Sequence, residues 1–259
     1  MQELMQSWIE EYIAQYAKGH SLPLNIWQKP LVAFMPADDE RFKTLKQTVS
    51  PSHLMPEDLL PDARSLIVYF IPFNHSITAS NKNGKLSSRE WAYAYIQTNK
   101  LIGEINHYLH EKLSYYGYTC SNLPATHNFD EKKLISNWSH RHIAQLAGLG
   151  SLGLHRLLIT EAGCSGRLGS IVTNVPLAIE TKPAPSYCLY YLNGSCMKCV
   201  ERCPVNALTI EGFDRFKCYE YLLKNAEFHS RLGFADVCGK CISGVPCSHI
   251  NPAQSTIKN

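Results

Sequence analysis

The sequence predicts an α/β chain, α+β in the broad sense: a layered core over residues 1–184 and a ferredoxin-like module over 185–259. Three observations carry this. Two apolar runs of strand length, LVAFMP at 31–36 and SLIVYFIP at 65–72, both end at proline. Segments with helical periodicity alternate with them. Finally, eight of the ten cysteines fall between Cys188 and Cys247.

The elements follow in order. At the N-terminus Leu4, Trp8, Ile9, Tyr12, Ile13 and Tyr16 recur at helical spacing between Glu3, Glu10 and Glu11. This is an amphipathic helix ending near Gly19, not a targeting peptide. DDERFKTLKQ reads as a short helix after the first strand, and Pro51, Pro56 and Pro61 punctuate the loop that follows. Residues 76–88 are a polar connection. Ser87-x-x-Glu90 then forms a capping box for a long helix. Its apolar face is Ala92, Tyr95, Ile96, Ile102, Ile105, Leu109 and Leu113, and Gly117 stops it. GYTCSNLPA reads as a strand, and KKLISNWSHRHIAQLA as a second long helix closed by Gly148. LLIT and SIVTNV are short strands. Gly148-x-Gly150-x-x-Gly153 has a dinucleotide-site spacing but follows a helix instead of a strand, which excludes that reading. The close glycines allow backbone to approach a ligand.

The cysteine module holds the sharpest signal. Cys196-x2-Cys199-x3-Cys203-Pro204 is three-quarters of a bacterial ferredoxin run with its following proline. Cys188 lies upstream, Cys218 stands alone, and Cys238-x2-Cys241-x5-Cys247 closes the set. Four plus four thiols are enough for two 4Fe-4S clusters. The cysteine before proline ligates the other cluster in two-cluster ferredoxins. That assigns Cys188, Cys196, Cys199 and Cys247 to one cluster and Cys203, Cys218, Cys238 and Cys241 to the other. Pro204 is expected to open a helix through VNALTIEG. A structural zinc site needs four ligands, not eight, and no Cys-Pro continuation. Disulfides suit small secreted domains, not a chain of 259 residues without a signal peptide.

Composition narrows the function classes. With 45% hydrophobic residues the chain can bury a sizeable core without its clusters. The formal charge of +3 counts cysteines as neutral; two cluster-bound quartets bring the loaded protein to about −1. No long basic run argues for nucleic acid. The most apolar run is too short to span a bilayer, so no membrane partner is expected and the cytoplasm is the default location.

The blocks AGLGSLGLHRLLIT and GRLGSIVTN, followed by the cysteine module, resemble the core of epoxyqueuosine reductases and, more distantly, of corrinoid reductive dehalogenases. The resemblance covers roughly residues 60–250. It implies a nitroreductase-like domain that cradles cobalamin and two four-iron clusters that deliver electrons to it. By that resemblance Gly148, Gly150, Gly153, Leu154, Thr160, Leu168, Gly169 and Ser170 line the corrin, and Cys218 is the family's isolated cysteine. The sequence departs from the family pattern at three places. Cys188 is reached through an inserted loop, the last cysteine spacing is x5 with Pro246 ahead of Cys247, and Leu134 stands where the family has a proton-donating aspartate. The family's C-terminal helical-repeat domain does not follow the clusters.

The resemblance implies a cobalamin-dependent reductase fed by an external low-potential electron donor. The alternative is an electron-transfer protein or corrinoid reductase serving a partner. Leu134, the near-neutral loaded charge and the lack of the helical-repeat domain argue against tRNA as a partner, leaving a small-molecule substrate or a corrinoid protein. Candidate proton donors are His127 and Asp130 in the loop THNFD and Tyr95 on the long helix. His140 and His142 flank the same region. Cys164 and Cys120 read as packed structural thiols.

Overall fold

The computed structural model describes residues 1–20, 22–23 and 25–254. Helix α1 (Gln2–Gly19) leads to β1 (Leu31–Pro36), the short helices α2 (Phe42–Thr48) and α3 (Pro56–Leu59), and β2 (Ser65–Pro72). Next come α4 (His75–Ser80), the long α5 (Arg89–Tyr115), and a small hairpin of β3 (Phe129–Asp130) and β4 (Ile135–Ser136). After α6 (His140–Leu146) follow the paired β5 (Gly150–Leu152) and β6 (Leu158–Thr160), then β7 (Gly166–Thr173). The cysteine-rich segment carries α7 (Leu189–Asn193), α8 (Lys198–Glu201), α9 (Arg215–Phe228) and a single 3₁₀ turn at Lys240–Ile242.

The main sheet has the order β1-β2-β7, antiparallel throughout. Side chains alternate across its central strand β2. Ile67, Tyr69 and Ile71 meet Trp8 and Ile9 of α1 and Leu101, Ile102 and Ile105 of α5 in one core. Leu66 and Val68 meet Phe42 of α2, Trp138, and Ile143 and Ala144 of α6 in a second. Coverage of both faces explains why this strand reads as one continuous apolar run. Each such buried side chain stabilises the fold by roughly 1.5–3 kcal/mol.

The cysteine-rich segment is fastened to this core. Cys188, Cys199, Leu208, Ile242 and Cys247 belong to the same apolar cluster as α1 and α5. Asn81 donates to the Cys238 carbonyl at 2.9 Å, and buried Lys240 donates back to the carbonyls of Asn81 (3.0 Å) and Asn83 (2.6 Å). Gly239, at φ 68°, lies against the Trp91 ring, where an added Cβ would come within 2.3 Å.

Several local expectations are corrected. The cap of α5 is Ser88, which accepts from Trp91 N, while Ser87 bonds Asn225 and His229 instead. The helix expected over residues 132–147 shrinks to Arg141's short helix α6, because the Ser136 hydroxyl competes for main-chain groups of His127 and Trp138. Leu134, at φ 53°, also lies outside helical backbone. GYTCSNLPA makes only an isolated bridge, Cys120 to Thr173; Pro124 lacks the N–H a longer ladder needs. The helix expected over residues 205–212 does not form. Asn206 turns the chain at φ 50°, and Leu208 bridges Phe213. No helix among the described residues is long and apolar enough to cross a membrane.

Candidate functional site

The eight clustered cysteines come from short turns and the first turn of α9. Cys199 lies within electrostatic reach of Cys247, Cys188 and Cys196, and Cys218 within reach of Cys238 and Cys203. Cys241 feels the charges of Cys238, Cys218, Cys199 and Cys203, one of them from the other assigned quartet. Burial pushes Cys199 and Cys218 up to about 12, and raises Cys238 and Cys241 as well. Such thiols are poor free nucleophiles, but metal coordination removes their protons outright. The donor set therefore fits iron–sulfur ligation.

Sequence reasoning placed Cys164 among inert packed residues. The structure places it against the ligand set. Its sulfur is 3.8 Å from that of Cys247, and His155 Nε2 is 3.5 Å from the same Cys247 sulfur. The ligand atoms of His155, Cys164 and Cys247 all lie within 4.8 Å of one another. The hydrogen bond from Cys164 holds the Cys247 thiol down at about 5 against the opposing effect of burial, with His155 helping. Burial drives Cys164 itself well up. The only local sequence signal was Gly163, at φ 80°, where a Cβ would come 2.5 Å from the main chain of Ser248 and His249.

Beside the cysteines opens a cleft of about 750 Å³, a size that suits a cofactor or substrate. Its walls are the β3–β4 hairpin (Leu134, Ile135), α6 (His140, Arg141, His142), the start of β7 (Arg167, Leu168) and α9 (Arg215, Cys218, Tyr219). Cys164 and Cys218 both line it, so cysteine segment and cleft share a wall.

Among the residues expected to line a corrin, Gly153 and Leu168 do line this cleft. Gly148, Gly150, Leu154, Thr160, Gly169 and Ser170 do not, and the reason is packing. A Cβ on Gly150 would lie 2.0 Å from the Ile159 carbonyl oxygen, and one on Gly169 would lie 2.3 Å from the Tyr69 ring. Gly148 is likewise tight against the Lys182 carbonyl. Leu154, Thr160 and Ser170 are buried. These glycines serve contacts of the chain with itself.

None of the three proton-donor candidates lines the cleft. Asp130 is exposed, and its carboxylate accepts from the main-chain N–H groups of Lys132 and Lys133, both at 2.9 Å. The Lys133 N–H holds it below the usual carboxylate range. His127 gives its carbonyl to Ser136. The Tyr95 hydroxyl donates to Asp236 at 2.6 Å under the Arg167 guanidinium, 4.4 Å from the ring centre, and burial raises its pKa. Leu134 does line the cleft.

His140 has both ring nitrogens engaged. Nδ1 lies 2.8 Å from Ser170 Oγ and Nε2 lies 3.0 Å from the Pro124 carbonyl oxygen. A carbonyl can only accept, so Nε2 carries the proton and Nδ1 accepts from Ser170. Burial holds this histidine down at about 4. It is a neutral, positioned ring, closed to a metal. His142 is also held at about 4 by burial, with its Nδ1 2.7 Å from Ser139 Oγ.

No family model matches the chain. Individual proteins do. A 101-residue stretch is 36% identical to the epoxyqueuosine reductase of Aliivibrio fischeri, covering 36% of this chain and 26% of that protein. A 188-residue stretch is 29% identical to the Bacillus cereus enzyme of the same name, covering 67% of this chain and 43% of the relative. Over these stretches the chain is similar to the epoxyqueuosine reductases. It spans less than half the length of these curated relatives. A crystal structure of an epoxyqueuosine reductase with an epoxyqueuosine-modified tRNA-Tyr stem loop shares its fold, with a TM-score of 0.55 and 18% identity over 94% of this chain and 66% of that one. A catabolic reductive dehalogenase aligns with a TM-score of 0.58 and 17% identity, over 85% of this chain and 30% of the other.

The tRNA-bound relative overturns the argument against tRNA as a partner. That argument used charge averaged over the chain. Local charge is different: Arg141, Arg156, Arg167 and Arg215 line one cleft whose lining contains no carboxylate.

Proposed function

We propose that this chain is an iron–sulfur and corrinoid reductase acting on a modified base carried by an RNA stem loop, as the names of its relatives suggest. The observation that carries the reading is the shared wall: Cys164 and Cys218 border the same cleft that takes the ligand. In this reading the two cysteine quartets hold two 4Fe-4S clusters, the core over residues 1–184 is nitroreductase-like, and the cytoplasm is its compartment. Clusters supply electrons singly, and a bound corrinoid supplies the centre at which the substrate is reduced. Removing an epoxide oxygen consumes two electrons and two protons, leaves an alkene and releases water. An external low-potential one-electron donor would supply the electrons.

The chain's own residues do the rest. Leu134, Ile135 and Leu168 give the cleft a water-excluding wall. His140 stays neutral and rigid between Ser170 and Pro124. Asp130, on the hairpin that carries Leu134, is the proton source we assign; it would have to reach the cleft by movement of that hairpin. A relative from Bacillus subtilis has been solved with its catalytic loop swung out of the active site. One observation favours the second reading, an electron carrier for a partner protein: the acid's matched position on the cleft wall is a leucine.

The test is anaerobic reconstitution followed by titration with hydroxocobalamin and turnover of an epoxyqueuosine-bearing stem loop. About eight iron and eight sulfide per chain, a shifted corrinoid spectrum and alkene product are expected. Zinc without acid-labile sulfide would remove the clusters from the reading. Clusters and corrinoid without product would favour the second reading.

A further inference from the structure

Arg141 on α6, Arg156 in the turn between β5 and β6, and Arg215 at the start of α9 come from three separate elements and line one cleft. Arg141 Nη1 donates to the Arg156 carbonyl at 3.1 Å, which ties two of the three elements together. None of the three arginines takes part in an ion pair among the described residues. No carboxylate lines the cleft, and Asp214, next to Arg215 in the chain, caps α9 by accepting from Lys217 N.

All three arginines are exposed to solvent and so open to a ligand. Arg156 holds a left-handed backbone at φ 65° in the turn that presents it to the cleft. Arg141 is exposed by surface area, yet the protein packed around it and then the charges of Arg215 and Arg156 hold its guanidinium below the ordinary range. An anion would relieve the repulsion. Its shape is constrained, because a planar carboxylate saturates one guanidinium fork, whereas three forks from three walls suit the several oxygens of a phosphate. Beside them Phe129 and Tyr219 line the same cleft with ring centres 5.8 Å apart, and Phe213 adds a further aromatic face. Aromatic rings next to a basic groove are a stacking platform for a base.

We propose that Arg141, Arg156 and Arg215 form a nucleotide phosphodiester subsite at this cleft, with Phe129, Tyr219 and Phe213 taking the attached base. The inference rests on the reading of the cleft as a ligand site. Two ligands carry the required group: an RNA strand, and the nucleotide loop of a complete corrinoid. Cobinamide, which lacks that loop, separates them.

The experiment uses the full chain, loaded with clusters under anaerobic conditions, as wild type, Arg156→Gln, Arg215→Gln and Arg215→Lys. Binding of an RNA stem loop is followed by fluorescence anisotropy across a salt series, and binding of hydroxocobalamin and cobinamide by visible absorption. If RNA uses the subsite, each Gln variant should weaken RNA binding several-fold and lower the salt slope by about 0.7 per lost phosphate contact. Arg215→Lys should keep the slope and lose part of the affinity. If the corrinoid loop uses it, cobalamin binding should weaken while cobinamide binding stays unchanged. Unaltered affinity for both RNA and cobalamin in variants with wild-type cluster absorption and melting would overturn the subsite. So would variants that weaken cobalamin and cobinamide alike with no effect on RNA. Failure of wild-type protein to bind either corrinoid would instead count against the corrinoid reading and leave the RNA arm to decide the subsite.

Discussion

The sulfur of Cys164 sits 3.8 Å from that of Cys247, across 83 residues of sequence, with the Cys164 N–H also donating to the Cys247 carbonyl at 2.9 Å. Cys247 closes the ligand spacing; Cys164 stands outside it. A thiol that donates to a ligand sulfur stabilises the more negative, reduced cluster. Its removal in Cys164→Ala should leave the iron content unchanged and lower the midpoint potential of one cluster. A net hydrogen bond of about 1 kcal/mol corresponds to roughly 40 mV for a one-electron couple. Redox titration monitored by electron paramagnetic resonance measures this. A loss of iron would make Cys164 a ligand, and unchanged potentials would make it a packing residue.

His140 ties stability to pH. Its pKa is about 4 in the folded chain against 6.5 for the free side chain. The unfolded chain therefore binds more protons between those values, so stability should fall as pH drops from about 6.5 to about 4 and level off below. For this buried ring the full effect is on the order of 3 kcal/mol. His142 and His249, also held at about 4, act in the same direction. Chemical denaturation across this window should give a shallower slope for His140→Gln than for wild type. Equal slopes would mean that His140 titrates normally.

The glycine block makes a third prediction about structure. Gly150→Val and Gly169→Val should fail as probes of ligand binding because they fail to fold. The first pushes a side chain into the Ile159 carbonyl and the second into the Tyr69 ring, whose hydroxyl is held at 2.8 Å by Asn106. Overpacking of this kind typically costs 1–3 kcal/mol, and more where backbone blocks relief. Soluble yield and melting temperature are the readouts. Folded variants that lost only cobalamin absorption would restore the ligand-approach reading.

These cases show where sequence was informative. β2 and α5 were legible because burial on a sheet's two faces or along one helix stripe leaves a periodic record over many residues. The spacing from Cys196 to Pro204 stands out in the sequence because ligation by neighbouring thiols, which it would serve, is a local constraint. The hairpin around Leu134 was not. Its left-handed residue is a leucine, and the Ser136 contacts that end helical backbone leave no periodic trace. Gly150 and Gly169 were visible as glycines, but nothing in their spacing says whether the nearby group is a ligand or the chain's own carbonyl. Cys164 and the three arginines depend on contacts between distant segments, which only the fold brings together.

Cys203 provides the last prediction. It follows α8, which carries Cys199, yet its influence is felt at Cys218 and Cys238. The Ala207 N–H donates to its sulfur at 3.2 Å, so the turn after Pro204 holds this side chain in place. If the quartets are cross-ligated, as the Cys-Pro run implies, Cys203→Ser should damage the cluster of Cys218, Cys238 and Cys241. The cluster of Cys188, Cys196, Cys199 and Cys247 should persist. Iron should fall toward about half, and one of two resolved magnetic resonance signals should survive with its potential little changed. Cys199→Ser is the control and should remove the complementary signal. If Cys203→Ser and Cys199→Ser abolish the same signal, the motif loads as one independent unit, and the ligand sets assigned to the two clusters are wrong.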